Sequence, residues 1–518
     1  MIRTASLAAL ALLVVLVGSS CAGQAGNSGA NPATAVPADA PFYLELTVRP
    51  GGDLREDALA AAGKVLQTPD PQTRIRELVD QALGSEDGPQ LSYDRDVAPW
   101  LGERAGVWLT AGDGDEPSGA FLLAAEDTDA AQEALDAAFE RSDEETTPRS
   151  HGGADYVVTS DGDAAGVLGD FAVFGNEAAL KRTIDVLDGD SLEDEDPYRR
   201  SVDALEDGRL AHFYADFAAL ARLGSRGDPQ AEEELRQLES IIPLDRLGPL
   251  SGAFFADGDR LTLDFALNAE GLRSLGAVGA LSGSTSTPLL GELPGDAWLA
   301  AGSPDFGEVM RATLDQYAGL LGGAAALEQI RRETGIDLEQ DVLSWMGDAA
   351  FFVRGADPAS LDGGAVIEVT DSSRASAAFG KLVGALRASA GVAVRPIRVD
   401  GAEVAFAAET DGAKPVVLAR GSDRVVVTYG AEAAAEAFDP AEALGDSELY
   451  GRAKGALDGV EPSLLLSTPA VVALVDASGN ADAEFDEVRP YLEAFSVVAT
   501  GGGIDDERAR VRLAAGLE

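Results

Sequence analysis

The sequence "DRDVAPWLGERAGVWL" occupies residues 94–109, and a second version of it, "EQDVLSWMGDAAFFVR", occupies residues 339–354. Aligning the two stretches matches three pairs of residues: Asp96 with Asp341, Trp100 with Trp345, and Gly102 with Gly347. The spacing of about 245 residues is far longer than the repeat of a solenoid and is typical of a duplicated domain. The two stretches therefore predict two copies of one domain in this chain.

The similarity continues on both sides of this stretch, in the same order. Upstream, "PADAPFYLEL" (37–46) aligns with "PGDAWLAAGS" (294–303). Downstream, "GAFLLAAEDTDAAQEAL" (119–135) aligns with "GAVIEVTDSSRASAAF" (364–379), and "DFAVFGNEAAL" (170–180) with "RVVVTYGAEAAA" (424–435). A shared order over several segments favours duplication of the whole domain over chance similarity of one motif.

The boundaries of the two copies follow from composition. The stretch "LSGSTSTPLLGEL" (281–293) is small and rich in Ser and Thr, as linkers between domains are. We therefore predict a first repeat domain at 37–280, a linker at 281–293 and a second repeat domain at 294–518.

Within a copy, both strands and helices can be predicted. Residues 42–49 alternate between apolar and mostly polar side chains, which indicates a strand with one solvated face. Asn176 is expected to cap a helix that buries Leu180, Ile184 and Leu187. Short strands joined by Gly- and Asp-rich turns favour antiparallel pairing. The predicted fold class is α+β: two tandem duplicated domains, each a largely antiparallel β-sheet backed by amphipathic helices.

Three sequence features together resemble the DUF3352 family of bacterial proteins. They are "VPADAPFYLELTVRP" (36–50), the Trp-Leu-Gly or Trp-Met-Gly step after an acidic segment, and "AVFGNEAALKRTID" (172–185). The resemblance covers nearly the whole chain after the predicted signal peptide. It implies an exported or envelope-attached bacterial protein, and it supplies no catalytic residues.

The N-terminus has the layout of an export signal. Arg3 precedes an apolar run at 7–17, and small residues follow as far as Ala22. The run is shorter than the roughly 20 apolar residues of a membrane-spanning helix, so we predict a removable signal peptide at 1–20. Residues 21–36, rich in Ala, Gly, Asn, Ser and Pro, predict a flexible tether.

Two processing outcomes are open at this site. Cys21 is the only cysteine of the chain, and its position resembles that of the lipidated cysteine in a bacterial lipobox, although Gly18 departs from the pattern. Lipidation of Cys21 would anchor the protein to the outer face of the cytoplasmic membrane. Cleavage near Ala22 would instead release a secreted protein, because Ser20 and Ala22 fit the small-x-small rule. We favour lipidation, since the lone cysteine otherwise has no explanation.

The composition argues against several classes of partner and cofactor. The formal net charge is −50 and the isoelectric point about 4.2, and such a field repels nucleic acid. The acidic run "DGDSLEDEDP" (188–197) lacks the central Gly and alternating ligands of a calcium loop. No phosphate-binding loop is recognisable. We therefore expect no nucleic-acid partner, no metal site and no cofactor.

Enzyme chemistry has weak support in the sequence. The only histidines, His151 and His212, both lie in the first copy, where His212 aligns with Leu464 of the second copy, and no Gly-x-Ser-x-Gly motif accompanies them. Asp96 and Asp341 recur between the copies, yet a carboxylate before a buried Trp is more often structural. We assign no catalytic residue. Trp100, Trp108 and Trp345 are read as core residues rather than as a ligand site.

Three functions are compatible with these observations. The first is a non-enzymatic cell-envelope lipoprotein, a scaffold or binding module for an unknown envelope component, attached to the membrane through its N-terminal lipid anchor. The second is a carrier of a lipid or another apolar ligand beneath helices that cover a curved sheet. The third is a hydrolase that uses carboxylates of the two copies. We favour the first.

Lipidation of Cys21 has a direct test in the mass of the mature protein purified gently from the membranes of its own host. We expect a denatured mass that begins at a diacylated Cys21, and we expect Cys21→Ala to move the protein into the soluble fraction. A mature protein that begins at Gly23 would instead be secreted.

Overall fold

A computed structural model of the protein describes residues 29–84, 91–112, 117–142, 145–241, 244–268, 285–319, 323–388, 392–409, 412–479, 481–504 and 508–518. The predicted signal peptide at 1–20 and Cys21 lie outside these residues. The chain divides into two compact units, Met1–Asn268 and Ala269–Glu518. Each unit combines an antiparallel sheet with covering helices, so the predicted α+β class is confirmed.

The first unit is built on one antiparallel sheet. Its described strands are β1 Phe42–Thr47, β2 Leu101–Ala111, β3 Pro117–Ala125, β4 Thr146–His151, β5 Ala154–Thr159, β6 Asp163–Leu168, β7 Phe171–Asn176, β8 Ala211–Asp216, β9 Pro249–Asp257 and β10 Arg260–Asn268. Their order across the sheet is β4-β5-β6-β7-β3-β2-β1-β8-β9-β10. Most neighbours in the sheet are also neighbours along the chain, as Gly- and Asp-rich turns favour.

Helices lie between the strands of this unit. They are α1 Gly52–Val65, α2 Pro71–Leu83, α3 Thr128–Arg141, α4 Glu177–Leu187, α5 Asp196–Val202, α6 Phe217–Ser225, α7 Pro229–Ile241 and α8 Leu244–Leu247. The predicted cap of α4 is confirmed, because Asn176 Oδ1 accepts a hydrogen bond from the Ala179 amide at 2.8 Å. Leu180 and Ile184 are buried as predicted, whereas Leu187, in the last turn, is 37% exposed.

The second unit is also built from antiparallel strands. Its described strands are β11 Leu299–Ser303, β12 Met346–Arg354, β13 Asp362–Val369, β14 Ala393–Ile397, β15 Val404–Glu409, β16 Val416–Arg420, β17 Arg424–Tyr429, β18 Pro462–Leu466, β19 Phe495–Ile504 and β20 Arg508–Leu517. The order is β14-β15-β16-β17-β13-β12-β11-β18-β19-β20. Its helices are α9 Pro288–Gly291, α10 Phe306–Gly319, α11 Gly323–Thr334, α12 Ser372–Ala388, α13 Ala431–Glu436, α14 Glu448–Ala456, α15 Thr468–Ser478 and α16 Ala483–Leu492.

The strand order is the same in the two units when each strand of the first is matched with its counterpart in the second, β1 with β11 and so on to β10 with β20. Two isolated bridges also correspond, Pro37 with Ser191 and Pro294 with Ala443. A duplicated domain would produce this correspondence. The duplication and the predicted boundaries stay predictions.

Each sheet is covered on both faces. In the first unit the α4 face carries Tyr43, Trp108 and Leu122, which pack in one core with Leu180 of α4. The opposite face lies under α3 and is called the α3 face. In the second unit the corresponding faces are the α14 face, where Phe352 packs near Ala453, and the α12 face, where Leu418 packs with Phe379 of α12. Strands that are covered on both sides lose their apolar–polar alternation, which explains the long apolar runs in the sequence.

The predicted flexible tether and the predicted linker are both partly packed in cores. In the predicted tether at 21–36, Pro32–Ala35 forms a turn of 3₁₀-helix, and Ala33, Ala35 and Val36 are fully buried. In the predicted linker at 281–293, Leu289, Leu290 and Leu293 belong to the core of the second unit. Composition misled in both places, because small side chains such as Ala and Gly are common in flexible segments and also fit narrow spaces beside a sheet.

The strands β4 and β14 lie at corresponding edges of the two sheets, and each contains a proline. The β4–β5 hairpin turns at Gly152 and Gly153, whose φ angles of 56° and 88° suit a tight two-residue turn. Hydrogen-bonded and non-hydrogen-bonded pairs alternate from this turn, so the pair Pro148–Val157 is a non-hydrogen-bonded one. The backbone groups of residue 148 therefore point away from β5. The proline therefore removes an outward amide that another strand would need, and Pro396 occupies the corresponding place in β14.

The core position of Trp345 predicts a large loss of stability when its side chain is truncated. The indole is 1% exposed, so Trp345→Ala should lower the free energy of unfolding by about 3–5 kcal/mol. Tyr491→Ala is the matched control, because Tyr491 is 49% exposed and its loss should change stability by less than about 0.5 kcal/mol. Urea denaturation measures both, and equal midpoints for the two variants would contradict the core assignment.

Candidate functional site

The carboxylates of Asp96 and Asp341, one in each unit, stabilise the chain where it enters β2 and β12. Asp96 lies in a turn of π-helix, where Oδ2 accepts a hydrogen bond from the Ser92 amide at 2.8 Å and the backbone carbonyl accepts one from Trp100 Nε1 at 2.7 Å. The guanidinium groups of Arg95 and Arg141 also bind its oxygens. Arg95 above all, and then Arg141, hold the pKa of Asp96 well below its ordinary value, so the carboxyl cannot serve as a general acid near neutral pH.

Asp341 makes the equivalent contacts in the second unit. Its Oδ2 accepts the Asp337 amide at 2.9 Å, and its carbonyl accepts Trp345 Nε1 at 3.0 Å. Lys381 Nζ binds Oδ1 at 2.7 Å and is the main cause of the lowered pKa of Asp341. Trp100 and Trp345 are both buried, as predicted for core residues. The recurring Asp and Trp are thus accounted for by local structure.

The two histidines lie in different environments. His151 ends β4 and is only partly buried, and its Nε2 lies 2.8 Å from Asp185 Oδ1 on α4. His212 is 5% exposed on β8, and its Nε2 lies 3.3 Å from the hydroxyl oxygen of Tyr198 on α5. The two side chains therefore do not share a site.

A buried aromatic and ionisable cluster surrounds His212 on the α4 face. It consists of Tyr43 and Glu45 on β1, His212 and Tyr214 on β8, and Tyr198 on α5. Tyr43 donates a hydrogen bond of 2.8 Å to Glu45 Oε2, and its ring lies edge-on to that of Tyr198 with 5.8 Å between centroids. Arg104 lies 3.6 Å from Glu45 and supplies a nearby positive charge. The ring contacts make this cluster part of the core.

Burial controls the ionisation of the cluster. Loss of solvation raises the pKa of Glu45 above its ordinary value, and the Arg104 charge opposes this effect. Loss of solvation also lowers the pKa of His212 to about 3, so the imidazole is neutral in the folded protein. A neutral, enclosed histidine is poorly placed to exchange protons with a substrate.

The corresponding positions of the second unit carry small or apolar side chains, with Ser463 at the place of His212. The pair Tyr43–Tyr214 is matched by Ala300–Leu465, because Phe42 and Leu299 begin equivalent ladders. The same register matches Phe213 with Leu464, so our alignment of His212 with Leu464 is wrong by one residue. Sequence similarity alone could not fix this position, since both strands offer a short apolar run without a landmark residue.

A groove opens on the α3 face of the first unit. It lies between α3 and the edge strands β4–β6 and has a volume of about 730 Å³. Its apolar surface comes from Leu135, Pro148, Val157 and Ala165. Its polar rim comes from Gln132, Asp136, Arg149, Ser150 and Asp155. An apolar surface with a few polar groups at its rim is the usual composition of a ligand site.

The groove results from the order of large and small side chains in one row across the paired strands. In the first unit this row runs Pro148, Val157, Ala165, Phe174, Phe121. In the second unit the equivalent row runs Pro396, Phe406, Leu418, Val427, Ala365. The large side chains of the first row lie towards the middle of the sheet, whereas those of the second lie towards its edge. The edge of the first sheet is therefore left with small side chains.

The helices that cover the two rows, α3 and α12, differ in position accordingly. Helix α3 packs mainly on β6 and β7, whereas α12 contacts the edge strand β14. The Asp127 and Asp371 side chains accept hydrogen bonds at the start of α3 and α12, and counting from them matches Leu135 with Phe379. Phe379 packs in the second unit with Phe406, and their ring centroids are 6.2 Å apart. The second unit thus fills with two rings the space that is a groove in the first.

The groove residues were not among the candidates from sequence, and neither were the cluster residues apart from His212. A signal exists when the two units are aligned, because Val157 and Ala165 then match Phe406 and Leu418, but this alignment requires knowledge of the strand register. In the part of the chain that the structure describes, no group of His, Cys, Asp and Glu side chains is arranged to hold a metal ion. Among the described helices none is both long enough and apolar enough to cross a bilayer.

Comparisons with known proteins identify a family and give distant structural likenesses. The family model described as "Protein of unknown function (DUF3352)" matches residues 2–459. No curated protein matches the chain. The fold is distantly similar to TP0453 in crystal form I, with 9% identity over 47% of this chain and 80% of that chain at a TM-score of 0.25. For crystal form IV of TP0453 the identity is 13% over 48% of this chain and 85% of that chain, at a TM-score of 0.25.

The buried, neutral His212 predicts a specific sensitivity of stability to acid. Its folded pKa of about 3 lies below the ordinary value of 6.5, so the unfolded chain binds the proton first as the pH falls. Between about pH 7 and about pH 5 the wild type should lose about 2 kcal/mol through this group. The variant His212→Asn should lose less free energy of unfolding over the same pH interval, as measured by urea titration of the full chain.

His151→Asn is the matched control, because His151 is only partly buried, at the end of an edge strand. It should keep the contribution of the buried His212 to the pH dependence. The raised pKa of Glu45 acts in the opposite sense, removing stability as the pH rises, and this effect is common to all three proteins. If His212→Asn and His151→Asn show the same pH dependence, the neutral state of His212 is contradicted.

Proposed function

The chain belongs to the DUF3352 family of proteins of unknown function, and we propose that it is a non-enzymatic binding protein of the bacterial cell envelope. In this proposal the first unit binds an apolar group in the groove between α3 and β4–β6. The second unit is its filled structural counterpart.

The observation that carries the proposal is the difference between two otherwise equivalent spaces. Where the second unit places Phe406 and Leu418, the first places the smaller Val157 and Ala165, and both of these line the groove. A space left unfilled forfeits packing energy, because each missing contact removes dispersion attraction. Receiving a partner group is a physical reason for an open space of this kind on a covered sheet.

The proposal of a non-enzymatic protein is supported by the structural contacts that the candidate residues make. Asp96 and Asp341 bind guanidinium or ammonium groups and backbone amides. His212 is enclosed, and His151 pairs with Asp185 at the surface. None of these side chains lines the groove. Binding without chemistry is the simplest function for such a surface.

The envelope location is proposed from residues 1–21, which have the order of an export signal followed by a cysteine. An acyl anchor on Cys21 would hold the protein at the outer face of the cytoplasmic membrane. We also propose that the two units are copies of one ancestral domain, which the shared strand order supports. One copy then retains a filled space and the other a binding groove.

Filling the groove with the side chains of the second unit tests this function. The variant Leu135→Phe, Val157→Phe, Ala165→Leu should lose binding of N-phenylnaphthylamine, an uncharged fluorescent probe, while melting no lower than the wild type. Ala165→Leu alone is the milder variant, in case the triple change overpacks the site. Equal probe binding by the wild type and by a folded, filled variant would overturn the proposal.

The reciprocal change provides the control. Leu418→Ala enlarges the equivalent space in the second unit and should lower the free energy of unfolding by about 2–5 kcal/mol, because Leu418 is 8% exposed in a packed cluster. A small effect at Leu418 would mean that the second unit is not filled in the way the proposal requires.

A further inference from the structure

We infer that the group received by the groove is an aromatic side chain of a protein partner, flanked in that partner by basic residues. This inference rests on the proposed function and specifies the chemistry of its ligand. Three features of the described residues carry it: the rings that fill the equivalent space, the charge at the rim, and the proline of the edge strand.

The second unit shows which chemistry fits this space. Phe379 and Phe406 occupy it with centroids 6.2 Å apart and planes inclined by 37°, and the Arg387 guanidinium lies 5.0 Å above the Phe406 ring. The same backbone framework in the first unit offers Leu135 and Val157 at these two positions. The second unit therefore has a phenyl ring at each of two positions where the first unit has a smaller aliphatic side chain. A planar ring contributed by a partner restores the packing that the second unit achieves internally.

The rim of the groove selects for positive charge beside that ring. Gln132 Nε2 donates a hydrogen bond of 2.9 Å to Asp136 Oδ1, which orients this exposed carboxylate at the mouth. Asp155 is exposed on the opposite wall, and Glu133 and Glu140 extend the acidic surface along α3. Arg149 is the one cation among the residues that line the groove. The chain as a whole carries a net charge of −50, so an anionic lipid or fatty acid is repelled and a basic segment is attracted.

The edge strand determines how a protein partner approaches. Addition of a strand to β4 would need an outward amide at residue 148, and Pro148 has none. The partner therefore does not extend the sheet, and it contributes a side chain to the α3 face instead. An aromatic anchor in a pocket with charged residues around it is the usual energetic centre of such an interface.

The first experiment measures binding of short peptides to the full chain. The probe is the acetylated peptide Lys-Lys-Phe-Lys-Lys with 4-fluorophenylalanine in the central position, observed by the broadening of its fluorine NMR signal. We expect binding that is about ten-fold weaker when leucine replaces the ring in a competing peptide, and weaker again when glutamate replaces the lysines. Raising the salt from about 0.05 to about 0.5 M should weaken binding further, because exposed charges are screened.

Variants of the chain locate the binding. Asp136→Asn and Asp155→Asn should each weaken binding of the phenylalanine peptide by about two- to five-fold. Both variants should keep the melting temperature of the wild type, since both side chains are exposed. The filled variant Leu135→Phe, Val157→Phe, Ala165→Leu should abolish binding. Glu432→Gln, an exposed carboxylate on α13 of the second unit, is the matched control and should bind as the wild type does.

An uncharged alkyl glucoside, used below its micelle concentration, separates the two proposals. If the glucoside binds the wild type but not the filled variant, and the phenylalanine peptide does not bind, the inference is overturned while the groove keeps its proposed function. Equal binding of the leucine and phenylalanine peptides would also overturn it. If neither the glucoside nor the peptide distinguishes the wild type from the filled variant, both proposals fail.

Discussion

The structure depends on one constraint of antiparallel sheets. Side chains of paired strands lie in fixed rows across the sheet, and the helix that covers a row must pack against side chains of the sizes found there. A row whose large side chains are Phe406 and Leu418 holds its helix near the sheet edge, as α12 does over β14. A row with its bulk at Phe174 and Phe121 supports a helix nearer the middle, as α3 does over β6 and β7. Redistributing side-chain volume along one row, without any change of strand order, is therefore enough to produce a groove in one unit and a packed layer in the other.

The opposite face of the first sheet shows what the same framework tolerates in its interior. Tyr43, Glu45 and His212 replace small or apolar side chains of the second unit, and they remain in a core because they bind one another or Tyr198. The ionisable groups are held in the states that burial favours, with His212 neutral and the pKa of Glu45 raised. Buried polar groups of this kind carry a free-energy cost unless their hydrogen bonds are satisfied, so the cluster restricts the arrangement of β1, β8 and α5.

The sequence permitted prediction of the fold class and of the family, because alternation, caps and repeated motifs are local signals. Asn176 capping α4 and the buried indoles of Trp100 and Trp345 are examples in which a few neighbouring residues contain the whole cause. The groove could not be predicted, since Leu135, Val157 and Ala165 are brought together only by strand pairing. The apparent flexibility of residues 29–36 misled for a related reason: burial of Ala33 and Val36 depends on a distant sheet, not on their own composition. Register errors have the same origin, as the one-residue slip at His212 shows.

The prolines in β4 and β14 bear on how many of these molecules can share a surface. Exposed sheet edges are templates for edge-to-edge association of molecules, and this hazard grows with local concentration. For a protein proposed to hang from a membrane by an acyl chain, lateral crowding would bring such edges together repeatedly. Pro148 and Pro396 interrupt the hydrogen-bonding register of each edge at one place. A crowded layer of this protein would then remain a population of separate molecules rather than polymerising into extended fibres.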